Sequence, residues 1–171
     1  ETHVNITGTV NSNIYGGGNG TGTTVTTSTV NIESTANVTG NVFGGGELGA
    51  VGTSNVNLNG GIMNGNVFGG GNNVGVTTSN VNINSTVALS NTSNAIFGGS
   101  NAKGTTENTN VIIKAKYASG DNKLKNVYGG GLGSATTVTN STVNLETGSA
   151  VYADIYGGGK EGKTLNTNIN L

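Results

Sequence analysis

The chain contains no cysteine, no proline and no tryptophan. Without cysteine there is neither a disulfide framework nor thiolate chemistry. Without proline every backbone N–H stays a donor, which suits a chain whose N–H groups all enter strand ladders. Charge is scarce: only 9% of residues are charged, and the seven cations, all lysine, leave a net charge of −1. With no arginine and no basic stripe interleaved with aromatics, nucleic acid is not an expected partner. No apolar run is long enough to span a bilayer and no signal-peptide pattern occurs, so membrane insertion by this segment is not expected. Apolar residues make up only 32%. A disordered chain of such low hydrophobicity ordinarily carries high net charge, and this one does not.

What is present is repetition. Six times a β-branched residue and an aromatic ring precede a glycine cluster, with the rings at Tyr15, Phe43, Phe68, Phe97, Tyr128 and Tyr156. The rings are 28, 25, 29, 31 and 28 residues apart. A period of that size marks a stacked repeat architecture.

A second motif recurs between the glycine clusters: a small hydroxyl residue, a polar residue, Val or Ile, Asn, then Ile or Leu. Its apolar centre is Val4, Val30, Val56, Val81, Val111, Val143 and Ile169. The following position is Asn5, Asn31, Asn57, Asn82, Asn144 and Asn170, broken only by Ile112. Apolar and polar residues alternate, as in a half-buried strand. The Val column is a candidate core, and the Asn column a candidate outward ladder or binding face. A third, weaker apolar segment links each such strand to the next ring, through Val38, Met63, Leu89, Tyr117 with Leu124, and Val151.

Three short strands per repeat predict a single-domain, all-β parallel solenoid over residues 1–171, with about six coils of 25–31 residues. Coil lengths that vary by several residues favour a right-handed β-helix. At about 4.8 Å per coil the rod is roughly 30 Å long. One coil cannot fold alone, and neighbours must stabilise one another. Glycine triplets in constant phase mean either that a Cβ does not fit or that positive φ is needed. The aromatic column poses a question of parity. Adjacent strand residues face opposite ways, so either the rings or the residues before them point outward.

Little sequence remains for an active site. His3 stands alone at an outward position, and Asp121 and Asp154 are isolated. β-helix polysaccharide lyases and hydrolases use clustered acids and basic groups, which this chain cannot assemble. The residues after the glycines are Asn19, Glu47, Asn72, Asn101, Leu132 and Lys160, so there is no carboxylate column for calcium. The glycines lack the dinucleotide fingerprint and the Walker lysine. No enzyme activity, cofactor or metal is expected. Lys103, Lys114, Lys116, Lys123 and Lys125, with Glu107, mark the longest coil as a solvated insertion.

The pairing of Asn-Val-Phe/Tyr-Gly-Gly-Gly with Thr/Asn-Val-Asn-Ile/Leu resembles repeats of large adhesin-like surface proteins of bacteria and archaea. The resemblance covers most of the chain and weakens over residues 95–125. It implies a β-helical stalk or fibre outside the cell and carries over no catalytic residue. The chain begins at Glu1 in mid-coil and ends at Leu171 in the same phase, which reads as a processed protein or a segment of a longer one. Exposed parallel edges template further strands. The expected function is therefore structural, as a surface shaft or a fibre subunit, with self-association head-to-tail or side by side. The alternative is a glycan- or ice-binding module that uses the Asn/Thr face.

Overall fold

The computed structural model describes residues 1–91, 93–119 and 123–171. Among them are seventeen β-strands and no helix. Every strand pair is parallel, and the strands stack into three sheets of seven, four and six.

The long sheet contains β1 (Thr2–Ile6), β4 (Thr24–Ile32), β7 (Ala50–Leu58), β10 (Val76–Ile83), β13 (Lys103–Ile113), β15 (Ala135–Leu145) and β17 (Lys163–Asn170). The short sheet contains β2 (Thr9–Val10), β5 (Asn37–Val38), β8 (Ile62–Met63) and β11 (Ala88–Leu89). A bridge between Lys116 and Ala150 links the two later coils in the same way. The aromatic sheet contains β3 (Ile14–Tyr15), β6 (Val42–Phe43), β9 (Val67–Phe68), β12 (Ala95–Phe97), β14 (Asn126–Tyr128) and β16 (Ile155–Tyr156).

The fold is the solenoid that the repeats predict. Val4, Val30, Val56, Val81, Val111, Val143 and Ile169 pair in unbroken register on seven successive rungs. The strands differ from expectation in length. Those of the short and aromatic sheets have two or three residues, whereas β13 and β15 have eleven.

Their extra N-terminal residues form a column not foreseen from the motif: Val25, Val51, Val76, Thr106, Val138 and Thr164. Val51 and Ser54 are both buried although they are three residues apart, so the in–out alternation slips between them. The slip turns Val51 onto the glycine corner, where a Cβ on Gly17 would come within 2.6 Å of its Cγ2.

Ser28, Ser54, Ser79 and Thr109 are buried beside the Val column. Each hydroxyl donates across the coil to the carbonyl of the first glycine in its triad, at 2.5–2.6 Å. This satisfies a polar group inside an apolar core and draws the glycine corner against the long strand.

None of the triad glycines has a positive φ; among the described residues that conformation is confined to Gly60, Gly61, Gly104 and Gly148. The triads are therefore glycine for reasons of space. A Cβ on Gly45 would lie 2.7 Å from the nitrogen of Gly71, one rung away. The Asn59-Gly60 turn does use positive φ, at +134° on Gly60 and +85° on Gly61.

The longest coil anchors its insertion in the core at two points, while Ala118, Ser119 and Lys123 are exposed. Tyr117 and Leu124 both enter the core. The Tyr117 hydroxyl accepts from the Val87 N–H at 3.1 Å and donates to the Val87 carbonyl at 3.2 Å. It replaces the ladder bonds that the insertion displaces, while the Leu89 N–H bonds the Lys123 carbonyl at 2.7 Å.

Candidate functional site

The parity question has a definite answer. Ile14, Val42, Val67, Ile96 and Val127 face the main core, and the rings face the other way. The four inner rings are nonetheless buried, in a separate cluster with Ala95 and against Leu132. All five neighbouring pairs stack, with centroids 4.7–5.0 Å apart and planes within 5–9°. That separation is the rung spacing itself, so register imposes the stacking. Tyr15 and Tyr156 close the two ends, Tyr15 half-buried and Tyr156 43% exposed.

The outward face of the long sheet carries the asparagine ladder. Asn57 Nδ2 donates to Asn31 Oδ1 at 2.8 Å, and Asn82 to Asn57 at 2.9 Å. Ile112 stands between Asn82 and Asn144 and interrupts the file; it resumes where Asn170 donates to Asn144. Asn5 pairs in register with Asn31 at the first rung.

Two further files run parallel to it: the first passes through Asn55 and Asn80 of the expected Asn/Thr face, and the second was not foreseen from the motif. Asn110 donates to Asn80 and Asn80 to Asn55, each at 3.0 Å. Asn166 donates to Asn140 and Asn140 to Asn108, also at 3.0 Å. Their signal was present in the sequence, as asparagine at constant phase two and four residues before the recognised column.

All these amides donate from the later coil to the earlier one. Reversing a single member would set donor against donor, so each file keeps one direction. A carboxylate, which only accepts, then fits only at the amino-terminal end of a file. Glu33 sits there beneath Asn59 and Asn84, accepting from Asn59 at 3.1 Å. Glu47 sits beneath Asn72 and Asn101, accepting from Asn72 and Asn73 at 2.8 and 2.9 Å. The bond from the Tyr15 hydroxyl holds the Glu47 carboxyl below its ordinary range; the two amides add to this and burial opposes it. Burial, and then the same bond, push the Tyr15 phenol up. Tyr15, Gly17, Asn19, Glu47 and Leu48 line an open cleft around this pair.

The remaining candidates stay dispersed. His3 is exposed, 3.7 Å from Glu1. Asp154 accepts from the Tyr156 hydroxyl at 3.3 Å and lies in register with the Asn13, Asn41 and Asn66 corner column. In that column Asn13 and Asn41 each accept from the backbone N–H one coil on, at 2.8 Å. Lys103, Lys114, Lys116 and Lys123 are exposed and Lys125 is half-buried; Asp121 lies outside the described residues. Among the described residues no three His, Cys, Asp or Glu side chains lie close enough to hold a metal, and no helix is long and apolar enough to cross a membrane. No protein-family model, curated protein or solved structure matches this chain significantly.

Proposed function

We propose that the chain is an extracellular structural element, either the shaft of a surface adhesin or the subunit of a fibre that lengthens through its strand edges. The observation that supports this best is the long sheet: seven strands in register, one parallel ladder carried rung upon rung. Open parallel edges recruit further strands. The one-way amide files give the two edges opposite character, with donors toward β1 and acceptors toward β17. Such unlike faces join head-to-tail, the arrangement that builds open filaments. The part assigned to this chain is mechanical, and it needs neither cofactor nor catalytic group.

Electron microscopy across a concentration series tests the fibre form. Rods should lengthen end to end, and Ile169→Lys, which places a charge in the last rung, should return them to single particles. Wild-type particles that stay single at every concentration would contradict it. An antibody against the folded domain tests the location. It should label intact source cells, and labelling only after lysis would overturn an extracellular role.

A further inference from the structure

We propose that the outward face of the long sheet binds a neutral, extended polyhydroxyl chain, that is, an uncharged polysaccharide. This does not depend on the shaft or fibre reading, because the face lies in the middle coils.

Asn31, Asn57 and Asn82 form one file, and Asn55, Asn80 and Asn110 the file beside it. Rungs are about 4.8 Å apart and alternate residues about 7 Å apart along each strand, so the amides form a flat two-dimensional array. Each interior amide uses one N–H and one carbonyl lone pair within its file. It keeps a second N–H and a second lone pair for a ligand. Because the file already holds the amide plane, these groups are ordered before anything binds.

Three features select the ligand class. No charged residue occurs in these two files, although the chain has fifteen ionisable acids and lysines. These two files therefore offer no cation to attract an anionic glycan and no anion to attract a basic protein; Glu33 and Lys114 lie in the next file along the strands. Second, fixed amides need a partner whose own groups can turn. Sugar hydroxyls rotate to donate or accept, so every free amide N–H and lone pair can be met. A second copy would present equally fixed amides, leaving polar groups buried without partners. Third, the array repeats. Contacts that are individually weak add up along a polymer and fail on a monosaccharide.

The test is depletion of the whole chain from solution by insoluble cellulose and chitin, with alginate beads as the anionic comparison. Wild type should bind the neutral solids and not the beads. Asn55→Lys with Asn80→Lys should weaken that binding by about ten-fold or more, while Ile62→Lys on the exposed side of the short sheet leaves it unchanged. A second measurement needs no variant. Titration of the wild-type chain with a cello- or chito-hexaose should move the side-chain amide resonances of Asn55, Asn57, Asn80 and Asn82. The proposal is overturned if neither solid depletes the chain, if alginate does so equally, or if Ile62→Lys loses binding to the same extent. It is also overturned if the hexaose moves resonances elsewhere only, or if the face instead pairs copies of the chain or shapes ice.

Discussion

A methyl group on Gly45 would sit 2.7 Å from the nitrogen of Gly71 and 2.9 Å from its Cα. Both are backbone atoms of the next rung, so neither can rotate aside. Gly45→Ala should lower the unfolding free energy by about 1–3 kcal/mol. At Gly8, where nothing lies within 4 Å of an added Cβ, the same change should stay within about 0.5 kcal/mol. Urea denaturation of the two variants gives the comparison. Tyr117→Phe should cost about 1–3 kcal/mol, because the buried Val87 N–H loses its partner. The Tyr15–Glu47 pair predicts a pH dependence. The folded Glu47 carboxyl lies below its unfolded value, so its contribution is present above the ordinary carboxylate pKa and fades as pH falls through the folded one. Melting temperatures from pH 7 down to pH 3 should show this loss, and Glu47→Gln should flatten part of it. At this scale the sequence was only partly legible. Constant phase revealed the glycines and the Asn57 file. It did not reveal Glu33 and Glu47, whose role as file ends depends on which way the amides point. Nor did it show that Tyr117 would spend its hydroxyl on a neighbouring coil's backbone.

Each coil touches only its neighbours, and its stability is shared with them. An in-phase deletion should therefore be tolerated. Removing residues 56–80 joins Asn55 to Val81 and sets Val30 directly opposite Val81, with the Ser-Asn-Val-Asn-Ile motif intact. This variant should keep its strand circular dichroism and melt cooperatively at a lower temperature. Removing residues 56–68 alone breaks the phase and should abolish cooperative melting. Element type and register were readable because every coil repeats the same alternation of Val with Asn. Strand length was not, since the extra residues of β13 and β15 break that alternation at the slip beside the glycine corner. The direction of the rings also lay beyond the pattern: either parity kept an apolar residue inside, and the second cluster with Ala95 and Leu132 covers the rings.

At the scale of the molecule, all the files depend on one geometric relation: distance along the rod counts rungs, not residues. Position 3 and its equivalents in β4, β7, β10, β13, β15 and β17 pair in sequence from His3 through Thr29 and Thr142 to Asn168. The most direct test is pulsed electron–electron resonance on spin labels at these outward sites. With labels at residues 29 and 142 the distance should be roughly 19 Å, four rungs, and with labels at residues 3 and 168 roughly 29 Å, six rungs. Both distributions should be narrow. Broad distributions, or a distance that follows the number of residues between the labels, would contradict the stacked rod and every column derived from it.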